Sequence, residues 1–359
     1  MKGQGILMTV MALVCACSPQ DEKEKYQSNR SNVAEVKSEV KEIDTGDVLI
    51  GNSSRMYLSS KHLIIADHRA YDKAIHLFDK SDFRPIVSVG TIGQGPKEIT
   101  NLGAICVDDS KNKLYVTDHG KQKIFSYDVD STMTMPDTYV HQTKARIKSN
   151  QFPSNPIYIN DTLSYGRVIT PTSPSTFDQM IGKWNMMTGE LQTIGEKHPE
   201  VKSKRSLIDV SVDKGIIVEV YINHDLMNIS DLDGNVQCYI YSPDWGQQSL
   251  ETFEDVMITP NHILSTYSGG LWGRGRTENI HVFDLKGNYQ KTLNIGYNML
   301  DCNYDKTQHR LYMVFDAEIQ SDQGSLHSRN FRRELHCNRL IFRKYELPED
   351  MKAVFIFFV

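Results

Sequence analysis

One short phrase recurs through most of the chain: an apolar or aromatic run that closes on Asp, Asn or Glu and passes into a turn. It appears as His76-Leu77-Phe78-Asp79, Phe125-Ser126-Tyr127-Asp128 and Lys183-Trp184-Asn185. It returns as Asn228-Ile229-Ser230-Asp231, His281-Val282-Phe283-Asp284 and Arg343-Lys344-Tyr345-Glu346. The closing residues lie 49, 57, 46, 53 and 62 positions apart. Turn chemistry follows several copies, in Met187-Thr188-Gly189, Leu232-Asp233-Gly234 and Leu285-Lys286-Gly287. Gly accepts the positive φ that such hairpins need. A unit of about 50 residues, repeated six times, marks a repeat architecture.

Each unit divides into four short strands. The second reads Ala104-Ile105-Cys106-Val107, then Lys113 to Asp118, then Lys123 to Tyr127, with an outer strand near Thr138-Tyr139-Val140. The fifth reads Asp255 to Ile258, His262 to Tyr267, Asn279 to Phe283 and Gln290 to Ile295. Four-stranded sheets arranged radially leave only short edges, so a long all-β chain avoids edge-to-edge pairing. The expected fold is all-β: a six-bladed β-propeller of four-stranded antiparallel blades over residues 36–359. A β-sandwich is the competing fold, but it requires no recurring unit. The sixth unit offers Met299 to Tyr304, Arg310 to Phe315 and Arg339 to Tyr345 as three strands. Its outer strand comes from residues 36–44 or from the apolar end Val354 to Val359, with a slight preference for the former.

The N-terminus reads as an address. Lys2 precedes the apolar run Ile6 to Ala16, which is too short to span a bilayer. The junction Val14-Cys15-Ala16-Cys17-Ser18 resembles a bacterial lipobox, with an aliphatic residue three before the Cys and a small one just before it. That resemblance implies a signal peptide over 1–16 and lipid on the Cys17 sulfur. Residues 17–35 are polar and nearly free of large apolar side chains, so they are expected to be a disordered tether. Anchorage would then be by acyl chains alone, since no apolar run reaches the ~18 residues of a spanning helix. Asp21 and Glu22 after the Cys resemble an export signal of lipoproteins at the outer face of an outer membrane. The expected location is the outer membrane, on its periplasmic or cell-surface face. With 45 Asp+Glu against 40 Lys+Arg and no long basic run, nucleic acid is not an expected partner.

Val89-Gly90-Thr91-Ile92-Gly93-Gln94-Gly95-Pro96-Lys97-Glu98-Ile99 leads into Cys106-Val107-Asp108, Leu114 to Asp118 and Ile124 to Asp128. This stretch of about 40 residues resembles an NHL-type repeat. With the lipobox, the whole resembles the TolB-like, six-bladed propeller lipoproteins of outer-membrane bacteria. The resemblance implies fold and location and little about chemistry. Pro96 and the absence of a following helical pattern exclude a phosphate-cradling loop.

Candidate site residues come from the repeat. Second strands end in Asp67-His68, Asp118-His119, Asn223-His224 and Asp316, and equivalent propeller positions converge at one mouth. Asp67, His68, Asp118, His119, His224 and Asp316 could thus form a polar ring for a ligand or a divalent cation. The simpler reading is that these Asp and Asn residues cap hairpins by accepting turn amides. A second candidate is the glycine-rich loop with Trp272, Arg274 and Arg276, suited to a sugar, peptide or anion. Cys106, Cys238, Cys302 and Cys337 lie in different units without metal spacing and read mainly as buried thiols. No H-E-x-x-H or G-x-S-x-G is present, so no catalytic residue and no required cofactor is assigned. The expected function is a non-enzymatic binding propeller at the channel mouth, for an envelope protein, peptide or glycan. The alternative is a metal-dependent hydrolase or lactonase on the same fold.

Overall fold

The computed structural model describes residues 23–43, 45–147, 153–173, 176–247, 250–271 and 275–316, together with the backbone of 342–343 and 353–358. Six sheets follow one another along the chain. Blade 1 is Ser54–Leu58, His62–Asp67, Lys73–Asp79 and Pro85–Thr91. Blade 2 is Leu102–Asp108, Lys113–Asp118, Lys123–Asp128 and Gln142–Arg146. Blade 3 is Pro153–Asn160, Leu163–Pro171, Phe177–Trp184 and Leu191–Ile194. Blade 4 is Ser206–Ser211, Ile216–Tyr221, Leu226–Asp231 and Val236–Tyr241. Blade 5 is Leu250–Ile258, His262–Leu271, Asn279–Asp284 and Tyr289–Asn294. Blade 6 begins with Met299–Asp305 and Arg310–Phe315.

First strands of blades 1 and 2, 2 and 3, 4 and 5, 5 and 6, and 6 and 1 stand side by side, while blade 3 meets blade 4 through its second strand. The sheets therefore close into a ring, and the six-bladed propeller is the fold. The core is divided the same way. Six apolar clusters fill the six seams, one between each pair of neighbouring blades. This explains the local sequence: a blade is covered on both faces, so Leu63-Ile64-Ile65-Ala66 is wholly buried instead of alternating. The turn reading also holds locally. Asp231 Oδ1 accepts the Asp233 and Asn235 amides, and Asp284 Oδ1 accepts those of Lys286 and Asn288. Gly234 and Gly287 take φ of 86° and 81° there, as those hairpins require.

Three expectations need correction. Residues 24–35 are not a loose spacer. Glu24–Tyr26 adds a parallel fifth strand to blade 4, and Val33–Glu35 does the same on blade 5. Outer blade edges offer unpaired backbone groups, and ladder pairing does not require apolar side chains. Arg30 pins the segment between these strands. Its guanidinium lies 3.0 Å from Asp225 and over the rings of Tyr267, Phe253 and Phe283. In blade 6, the third position belongs to Ala353–Phe358, which runs parallel to Arg310–Phe315. Phe342–Arg343 and Lys41–Glu42 both pair with that C-terminal strand. The apolar C-terminus thus enters the closing blade, as one of the two sequence options allowed, but in the third position and not the outer one, while Lys41–Glu42 of the preferred segment 36–44 pairs beside it. In blade 2, a short helix, Val129–Thr134, intervenes after Asp128, whose side chain caps it, and the outer strand begins later than Thr138.

The 6–1 seam carries the ring closure. Asp301 Oδ2 accepts the Met56 amide at 2.6 Å, and Lys80 pairs with Asp305 at 2.6 Å in full burial.

Candidate functional site

Of the second-strand ends, the carboxylates of Asp67 and Asp118 are occupied. Asp67 accepts the Gly51 and Arg69 amides, each at 2.9 Å. Asp118, wholly buried, accepts the amides of Thr100, Asn101, Gly120 and Lys121 at 2.9–3.1 Å. These are hairpin and inter-blade caps. His68 Nδ1 lies 3.1 Å from the Leu102 carbonyl. Burial lowers the pKa of both His68 and His119, and the nearby His68 pushes His119 down further. His224 belongs elsewhere: its ring lies against Tyr221 and Trp245, and burial together with His198 lowers its pKa. Asp316 follows the second strand of blade 6, where its amide donates to the Asn298 carbonyl. Arg276 pairs with Glu278 at 2.7 Å on the surface. Cys17, Trp272 and Arg274 lie outside the described residues. Among the described residues, no group of three or more His, Cys, Asp and Glu is arranged to hold a metal ion.

The arrangement with unmet chemistry lies on the propeller axis. A cavity of about 590 Å³ runs between the first strands and is lined by all six blades. Blade 1 contributes Arg55, and blade 3 contributes Arg167 from its second strand. Blades 4, 5 and 6 contribute Asp209, Glu254 with Asp255, and Asp301. Arg167 reaches the axis because blade 3 contacts blade 4 through the strand that carries it.

The partners within this cavity are uneven. Arg55 Nη1 meets Asp301 Oδ1 at 3.1 Å. Asp209 Oδ2 accepts the Ile258 amide at 2.6 Å, tying blade 4 to blade 5. Among the described residues, Asp255 takes only its neighbouring Val256 amide, at 2.8 Å. Arg167 Nη1 donates to the Ser206 carbonyl at 3.1 Å, and no described carboxylate forms an ion pair with it.

These side chains touch channel solvent yet are ringed by protein, so water screens them only in part. Burial is the main cause that raises the Asp255 pKa, the facing Asp301 carboxylate adds to it, and Arg55 only partly offsets this. Burial likewise raises Asp301, Asp209 and Glu254. Burial lowers the Arg167 pKa, helped by the neighbouring Arg55, and the Asp255 carboxylate across the channel only partly offsets this. Cys106, also in the wall, has its thiol pushed up to about 12 by burial, which makes it inert.

Sequence reading missed these groups although a signal was present. Asp209, Asp255 and Asp301 recur at intervals of 46 residues, in Ile208-Asp209-Val210, Glu254-Asp255-Val256 and Leu300-Asp301-Cys302. A carboxylate recurring at one fixed place in the inner strand, three blades running, marks a shared level in the channel.

Comparison with known proteins agrees with the architecture. Residues 24–150 match the family DUF5128, described as a 6-bladed beta-propeller. No curated protein matches the chain. Among solved structures, a member of the duf4221 family from Bacteroides vulgatus superposes with a TM-score of 0.51 at 12% identity, over 76% of this chain and 90% of that one. Hydrazine synthase from Kuenenia stuttgartiensis gives 0.47 at 15% identity, over 75% and 74% of the two chains. At 12% identity, the likeness to the Bacteroides vulgatus protein is one of fold alone.

Proposed function

We propose that this chain is a non-enzymatic binding propeller of the cell envelope, which takes its ligand in the central channel and is anchored by lipid on Cys17. The observation that carries the reading is the charged lining of the 590 Å³ cavity. Removing charges from water is costly unless they are paired. A channel serving only as packing would be filled with apolar side chains, as the six seams are. Here Arg167 and Asp255 keep unused hydrogen-bonding capacity toward an open cavity of small-molecule size.

The envelope location is supported by the lipobox-like Val14-Cys15-Ala16-Cys17. It has a geometric consequence. Only Ser18 to Lys23 separate Cys17 from the first edge strand at Glu24. At ~3.5 Å per residue, the outer edge of blade 4 would stand within ~25 Å of the acyl chains.

Two measurements test the proposal. Metabolic labelling with a fatty acid should mark the protein and be lost in Cys17→Ser. Ligand-observed NMR on the mature protein, with pools of amino acids, peptides and glycans, should give hits that Asp255→Asn weakens. Hits indifferent to Asp255→Asn and Arg167→Met would remove the channel from the proposal. Turnover of lactones or phosphoesters would overturn its non-enzymatic part.

A further inference from the structure

The charges in the channel are sorted by side. On the half built by blades 1–3, the lining carries Arg55 and Arg167. Its one carboxylate, Asp109, is engaged by the Ser60 amide and hydroxyl. On the half built by blades 4–6, Asp209, Glu254, Asp255 and Asp301 line the same level of the inner strands. Lys306, in the turn after the blade 6 inner strand, is the cation of that half among the lining residues. Arg55 leans toward the acidic half and is taken by Asp301. That leaves Arg167 without a carboxylate partner on one wall, and Asp255 and Glu254 without an ion pair on the other, among the described residues.

Resting on the channel-binding reading above, we infer that the ligand is zwitterionic: a free α-amino acid or dipeptide whose carboxylate meets Arg167 and whose ammonium meets Asp255. The two walls select against simpler ligands. A pure anion that reached Arg167 would face several carboxylates, and a pure cation would face two guanidiniums. Like charges brought together without water are strongly disfavoured. A neutral saccharide would supply hydrogen bonds but would leave both wall charges unneutralised. A zwitterion neutralises both at once, and a planar guanidinium matches a carboxylate with two parallel hydrogen bonds. A cavity of about 590 Å³ holds a dipeptide with room for bridging water.

The test is isothermal titration calorimetry of the mature protein at low salt with four probes: L-alanyl-L-alanine, its N-acetyl form, its C-terminal amide and the doubly blocked form. The free dipeptide should bind, and each single block should weaken binding about tenfold or more, as expected for losing one charge-assisted contact. Arg167→Met should abolish the discrimination against the amide alone. Asp255→Asn should abolish the discrimination against the N-acetyl form alone. This crossed pattern cannot arise from general misfolding. Equal binding of all four probes, or no binding of the dipeptide at millimolar concentration, overturns the inference. In that case cellobiose, binding in an Asp255-dependent way, would preserve the channel as a site while removing the zwitterion. If the dipeptide binds but both variants leave it unchanged, the channel reading itself fails.

Discussion

Replacing Lys80 with Met isolates the electrostatic part of ring closure. Lys80 Nζ lies 2.6 Å from Asp305 Oδ2, and the two side chains are 1% and 2% exposed. The same Nζ donates to the Ser59 carbonyl at 2.6 Å and the Thr307 hydroxyl at 3.2 Å. The approach to Oδ2 is short but poorly aligned as a hydrogen bond, so it acts chiefly as a charge–charge contact. Met keeps most of the stem volume and removes the charge. Deleting one partner of a buried pair costs roughly 3–5 kcal/mol, because the other charge is stranded. The folded variant has an escape: Asp305 can take up a proton. From an ordinary value of 3.8, protonation at pH 7 costs up to ~4 kcal/mol, which sets a ceiling on the loss. The expected destabilisation at pH 7 is therefore about 3–4 kcal/mol.

The pH dependence separates this account from simple loss of packing. In the wild type, burial pushes the Asp305 carboxyl up, but Lys80 and Thr307 more than offset it and leave its pKa lowered. That pair's contribution is full above the ordinary carboxylate range and is lost as pH falls through the lowered value. In the variant only burial remains, so the Asp305 pKa rises and acidification favours the folded form. The difference between the two proteins should shrink between pH 7 and about pH 4. Urea unfolding followed by circular dichroism at both pH values measures it. A loss below about 1 kcal/mol at pH 7, or a difference that stays constant on acidification, would refute the reasoning.

Other outcomes follow from the same structure. Arg30→Met should release the N-terminal edge strands, and amide exchange at Thr292, whose N–H donates to the Asn32 carbonyl, should accelerate while the blade cores stay protected; unchanged protection there would show that the arm holds without Arg30. Asp118→Ala strands four cap amides and should cost about 2–4 kcal/mol, equally with EDTA or with added divalent cations; a metal-dependent loss in thermal melts would contradict the capping role. Asp255 has a raised pKa, so its effect on the wild-type fold is unfavourable once pH climbs from about 4 through that raised value. Asp255→Asn should therefore stabilise the protein at pH 8 by on the order of 1 kcal/mol, with channel water screening the effect, and do little at pH 4; denaturation curves at the two pH values decide it.

Much of the blade pattern was legible because its causes are local. The closing Asp of a third strand, the Gly at positive φ and the apolar run are short-range features, visible in Asp231 to Gly234 and Asp284 to Gly287. The caps at Asp67 and Asp118 belong to the same class, and their simpler reading needed only hairpin chemistry. The channel charges were harder to see, since Asp209, Asp255 and Asp301 lie within inner strands, away from the phrase that closes each third strand. Their meaning lies in being brought to one level by three separate blades. Arg167 was less legible still, because it reaches the axis only where blade 3 contacts blade 4 through its second strand.

The sequence by itself determined the strand-and-turn rhythm, and with it the number of blades and the burial of both blade faces. These follow from short continuous apolar runs and from turn propensity within a few residues. Tertiary structure alone decided which segments occupy the free edges: Glu24–Tyr26 on blade 4, Val33–Glu35 on blade 5, and Ala353–Phe358 within blade 6. Edge pairing joins backbone to backbone, which every residue but proline offers alike, so its partners are chosen by which edges the closed ring leaves within reach.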